Sequence, residues 1–281
     1  MVRLRCPPIF VAFGKHPTLF RLFLWLTILL PRIAYGQLLH SLTDAPTLGR
    51  AGSGIATTGL PALWLNPAGI AGGQRLGYGA TVMQRYGLRE LTTVGGGAVY
   101  RGFGLQLATV GYGDYRAARF GAVYARRMTD RWRAGAELSV FRQLIIGYGG
   151  TTRLLPALGL QYTAGENIVL GLTIKDMPGT GGHAVQIGAG VTYRLGDHLH
   201  MLADVGGNRF TGIVSRFGLG YRPVPDVSFQ LGYASNPGTL TVGATYRFSG
   251  DLLIAVAGAQ HVQLGHVAGA GIYRNTDPSG Q

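Results

Sequence analysis

Val185-Gln186-Ile187-Gly188-Ala189-Gly190-Val191-Thr192-Tyr193-Arg194 decides the fold class. Val185, Ile187, Ala189 and Val191 share one face, and Gln186, Gly188, Gly190 and Thr192 share the other, which is the period of two that a strand imposes on its side chains. The apolar face carries no charge and the opposite face carries no bulk. A β-sandwich puts its large residues inside, so this size preference points to lipid outside and a small, polar interior. Leu240, Val242 and Ala244 against Thr241, Gly243 and Thr245 repeat it, and Phe217 and Leu219 extend it.

Working outward, the chain from residue 75 breaks into fourteen such segments, the first over 75–84 and the last over 264–274. An even count suits a bacterial transmembrane barrel. Tight links such as Arg101-Gly102, Gly196-Asp197 and Ser249-Gly250-Asp251 follow the even segments and predict periplasmic turns. The other links, among them Tyr86 to Glu90, Asp114 to Ala118, Gly147 to Thr152 and Met177 to Gly182, are looser and read as outer loops, short for that role. Even segments close on Tyr100, Tyr124, Tyr162, Tyr193, Tyr221, Tyr246 and Tyr273, several followed by Arg. Seven tyrosines at one height predict an aromatic girdle, with the adjacent arginines reaching lipid phosphates.

Composition agrees with a barrel. Of 281 residues 47 are Gly, over twice the usual share of about 7%, and only 13% are charged. Residues 1–36 carry five basic residues and no acid, the apolar run Leu22 to Leu30 and then Ala34-Tyr35-Gly36, the pattern of a signal peptide. Its removal takes Cys6, so thiol chemistry is excluded, and leaves 20 basic against 12 acidic residues, nineteen of the bases being Arg and one Lys175. Residues 37–74 form a segment before the barrel, residues 75–274 the transmembrane barrel and residues 275–281 a tail.

Catalytic, cofactor and metal sites are not expected. Gly52-Ser53-Gly54 has Thr57 where a dinucleotide fingerprint needs its third Gly, no G-x-S-x-G elbow occurs, and His198 with His200 lacks a third ligand. Alternation instead turns Arg133, Glu137, Lys175, Asp204 and Arg216 inward, as candidate lumen charges that either ring a pore or neutralise one another.

The stretch before the barrel reads Leu48-Gly49-Arg50-Ala51-Gly52, then Asn66-Pro67-Ala68-Gly69-Ile70-Ala71. It resembles the FadL-like outer-membrane superfamily, especially its PorV/PorQ branch. The resemblance implies a fourteen-stranded barrel with this segment as a plug at or inside the periplasmic mouth, and a place in the bacterial outer membrane. Because the chain is short for a fatty-acid carrier with a long hatch and large loops, the expected role is a non-enzymatic scaffold or accessory subunit of protein secretion, of type IX kind. Its partners would be outer-membrane lipids, secretion subunits or exported proteins, and not nucleic acid. The alternative is a FadL-like channel for small hydrophobic molecules.

Overall fold

The computed structural model describes residues 44–71, 76–111, 113–176, 185–208 and 212–275. The first 43 residues, which include the expected signal peptide, the link Met177 to Gly182 and the last six residues lie outside that set. Fourteen strands run β1 (Gly77–Arg85), β2 (Leu88–Tyr100), β3 (Phe103–Val110), β4 (Tyr115–Arg127), β5 (Trp132–Ile145), β6 (Gly149–Thr163) and β7 (Ile168–Lys175). They continue as β8 (Gln186–Leu195), β9 (Leu199–Asn208), β10 (Gly212–Val224), β11 (Val227–Ser235), β12 (Gly238–Ser249), β13 (Leu252–His261) and β14 (Gly265–Asn275). Each pairs with its sequence neighbours, and β1 pairs with β14, Gly77 opposite Asn275 through Arg85 opposite Val267, so the sheet closes into an antiparallel barrel. Closure removes the exposed edges that an open sheet would present.

Among the described residues the hairpin links are tight at both ends, which shortens the outer loops expected from sequence. Strand β2 begins at Leu88, because Tyr86 (φ 57°) and Gly87 (φ 71°) both take the left-handed conformation of a two-residue hairpin turn. Arg101 (φ 49°) and Gly102 (φ 86°) do the same at the opposite end. Strands β4 and β6 likewise reach into the stretches read as loops. Strand β6 pairs with β7 only as far as Ala157, opposite Lys175. The next residue is Pro156, and a residue without an N–H fits where a strand has lost one neighbour.

The outer surface is an apolar belt, in which Leu105, Leu107, Leu138, Leu172, Ile187, Leu240, Val242 and Val256 are exposed. Tyr100, Tyr124, Tyr221 and Tyr246 are exposed in it, and Tyr162 and Tyr193 are partly so. Odd strands add aromatics to this row that the even-strand repeat does not show: Phe103 packs on Tyr124 at 5.0 Å and Trp132 on Tyr162 at 4.7 Å between ring centroids.

Tyr273 corrects the girdle. It is only 7% exposed and points into the barrel, because Ile272 takes the outward position on β14. Its ring lies over Gly79 and Gly271, where a Cβ would fall 2.3 Å and 2.2 Å from it. The same alternation forces a second correction. Where Tyr193, Tyr221 and Tyr246 face outward, Arg194, Arg222 and Arg247 are carried to the inner face; Arg194 and Arg222 line a cavity there, and the Nε atoms of Arg194 and Arg247 are buried. Their charge lies in the mouth of the barrel, away from lipid phosphates.

Candidate functional site

Residues 44–71 lie within the barrel and give the lumen its character. They form one short helix, α1 (Ala45–Gly49), and two 3-10 turns, Leu60–Trp64 and Pro67–Ala71. Asp44 caps α1, its Oδ1 accepting from Thr47 N at 2.9 Å, and Pro46 sits in the first turn where no donor is needed. Burial pushes the Asp44 carboxyl above the usual range, against the opposing pull of Thr47 and Arg50. The same burial draws the Arg50 guanidinium down, with Asp44 and Asp204 acting against it.

The wall makes room for this segment with glycine. An added Cβ at Gly97 or Gly104 would strike Leu63, at Gly135 the backbone of Pro67, at Gly159 Asn66 Oδ1, and at Gly171 the backbone of Ile55. On the other side, Gly190 faces Ile55, Gly218 faces Ser53, Gly232 faces the Arg50 backbone, and Gly243 faces Gly49. These glycines lie on nine strands, so a ring of missing side chains encircles the lumen at the height of the segment. Gly removes the Cβ that would keep two backbones apart.

Asn66 is fully buried at the centre of that contact. Its Oδ1 accepts from Ala68 N at 3.0 Å, the local turn that the Asn-Pro-Ala-Gly sequence suggests, and its Nδ2 donates to Ile55 O at 2.8 Å and Leu172 O at 3.2 Å. The one side chain therefore ties both halves of the segment to the wall. Gln161 adds Nε2 bonds to Ile55 O at 3.1 Å and Thr57 O at 2.7 Å. Pro67, Ala68 and Gly69 are buried beside it, and Gly69 admits Thr57 O and the Ala62 methyl at distances that a Cβ would forbid.

The five inward charges do different jobs, and they do not form one ring. Asp204 Oδ2 accepts from Gly54 N at 2.6 Å and Ile55 N at 3.0 Å, so an internal carboxylate occupies the amides of Gly54 and Ile55. Arg216 lies across from Asp204 in the β9–β10 register, with its stem against Gly52. Lys175 Nζ donates to Trp64 O at 2.7 Å. Glu137 accepts from Arg119 Nη2 at 2.6 Å, and from Gln106 and Ser139. Arg133 is partly buried near the mouth, and its Nε and Nη1 find no protein partner. Sequence reading missed Arg119, Gln106 and Ser139, whose convergence on Glu137 is set by cross-strand register.

Two further surfaces line the interior. On the loop side of the segment, Val110, Ala117, Phe141 and Leu155 form a buried apolar cluster with Tyr115 packed against it. On the turn side, a cavity of about 140 Å³ opens between the segment and β8–β14. His200 lines it, while His198 Nδ1 meets Arg222 O at 2.7 Å. Among the described residues, no group of three or more His, Cys, Asp or Glu side chains is placed to hold a metal.

Solved structures share this architecture. The barrel superposes on the Ralstonia pickettii toluene transporter TbuX with a TM-score of 0.64 at 13% identity, over 83% of this chain and 98% of that one. The CymD monoaromatic hydrocarbon channel gives 0.62 at 16% identity, over 83% and 97%. A Pseudomonas aeruginosa FadL homologue gives 0.61 at 11% identity, over 84% and 98%. The chain has the FadL-like barrel fold. No family model and no curated protein sequence matches it. At such identities the likeness is one of fold; the first two of these neighbours are a transporter and a channel, and no enzyme and no PorV or PorQ protein is named among the three.

Proposed function

We propose that this chain is an outer-membrane channel for small hydrophobic molecules, with residues 44–71 as its stopper and residues 1–36 as the signal that exports it. The observation that carries the reading is the apolar cluster of Val110, Ala117, Phe141 and Leu155 on the loop side of the stopper. A barrel lumen is ordinarily polar, so apolar packing inside its outer end, with Phe141 and Leu155 buried there, suits a path for a ligand that water rejects. The shared fold with hydrocarbon transporters supports the same reading, as does the apolar belt around the barrel, which suits a bilayer. The tyrosine row without Tyr273 serves as the interfacial girdle in this account.

The secretion-scaffold reading rests on the resemblance carried by Asn66-Pro67-Ala68-Gly69 and on the shortness of the chain. In the structure those residues are buried against the wall, where they hold the chain to itself and offer no face to a partner subunit.

Uptake of radiolabelled toluene by cells that lack other hydrocarbon channels tests the proposal. The chain is expected to raise the initial rate over an empty vector, and Phe141→Asp to return it to that baseline. Equal rates with and without the chain would overturn it, and stoichiometric secretion subunits in a mild-detergent preparation would revive the scaffold.

A further inference from the structure

The turn-side cavity differs from the loop-side cluster in chemistry. Arg50 comes from the stopper, Arg194 from β8, His200 from β9 and Arg222 from β10, and all four line it. Arg50 Nε and Nη2, Arg194 Nε and His200 Nε2 are buried, and none has a protein hydrogen-bond partner. Buried guanidinium donors without a protein partner are costly, and native proteins seldom leave them so without a reason. Acids stand nearby, but they do not occupy these atoms. Asp44 shares the lining with its Oδ1 turned to Thr47 N, Asp204 spends Oδ2 on the stopper's amides, and Asp197 lies on the β8–β9 turn. Apolar groups share the lining, chiefly Leu60, Pro61, Leu202 and Leu253.

We propose that this cavity binds a small oxyanion, a carboxylate or phosphate group carried on an apolar body, with Arg50, Arg194 and Arg222 as its partners. A guanidinium fork matches both groups by paired hydrogen bonds. About 140 Å³ holds one small molecule or a single head group, and the apolar part of the lining receives the body attached to the anion. The placement gives the inward arginines a use: the alternation that sends Tyr193 and Tyr221 to lipid delivers Arg194 and Arg222 to the ligand. The site is independent of hydrocarbon transport, since it lies on the other side of the stopper from the apolar cluster.

Calorimetric titration of the full chain in phosphatidylcholine nanodiscs tests it, with sodium benzoate, inorganic phosphate and neutral benzyl alcohol as probes. Benzoate or phosphate is expected to bind, and benzyl alcohol at least about tenfold more weakly. Arg194→Gln, which leaves the stopper's own contacts in place, should weaken the anion by about tenfold or more, as should Arg50→Gln. Arg126→Gln, on the outer face, should change nothing. Discs containing phosphatidic acid separate the sources: loss of benzoate binding there, with the lipid retained in native mass spectra, identifies a lipid head group as the oxyanion. Absence of binding by both anions and by phosphatidic acid, or binding that Arg194→Gln leaves unchanged, would overturn the proposal.

Discussion

The two halves of the lumen are built on opposite principles. On the turn side the chain's own N-terminal segment fills the space, and the wall facing it is reduced to glycine on nine strands. On the loop side none of the described residues forms such a segment, and the wall fills its own interior with Arg119, Glu137, Gln106 and Phe141. The difference teaches what a glycine-rich strand can mean in a barrel. Gly188 and Gly190 weaken no strand that needs a side chain there, because the space belongs to Ile55. Wall and stopper are two parts of one core.

Substitutions on either side sharpen that contrast, and the largest effect is expected on the loop side. There, Glu137→Ala leaves Arg119 unpaired and should cost about 3 kcal/mol, the scale for breaking a partly buried ion pair, read as a fall in the urea midpoint of the detergent-folded barrel. On the turn side, Gly159→Ala should cost about 2 kcal/mol by overpacking, since its Cβ would lie 1.9 Å from Asn66 Oδ1; the same change at Gly147, in a link with open space around it, should not show that overpacking penalty. Asn66→Ala should cost about 1 to 2 kcal/mol by leaving Ala68 N without its acceptor and removing the Nδ2 bonds to Ile55 O and Leu172 O, and should speed proteolysis within residues 44–71. Tyr273→Phe removes the acceptor for Ala45 N at 3.0 Å and should cost about 1 kcal/mol, whereas Tyr246→Phe, facing outward, should be nearly neutral. Equal effects at Tyr273 and Tyr246 would erase the distinction between inward and outward tyrosines.

Strand number and the small inner face were legible because alternation is a local property: Gly188 and Thr192 betray their side within a few residues. Tyr273 was not, because the end-of-strand repeat suggests one parity while Ala268, Ala270 and Ile272 impose the other. Arg194, Arg222 and Arg247 were misplaced for a related reason, since the residue after an outward tyrosine on a strand faces the opposite way, whereas Arg101 and Arg274 are exposed. The outer loops were overestimated where Tyr86 and Gly87 make a two-residue turn from residues that look like a longer link. Asn66 revealed its bond to the local backbone, but not its bonds to Ile55 and Leu172, which depend on where the segment comes to rest. Cross-strand partners such as Arg119 and Glu137 were hidden in the same way, since register decides which charges meet.

Planar-bilayer conductance of the full chain against a variant lacking residues 44–71 tests most directly whether the barrel is closed by its own N-terminal segment. The account predicts little ionic current through the full chain and a large, steady current through the shortened one, whose glycine ring then faces water. Equal currents from the two, whether both open or both closed, would contradict it.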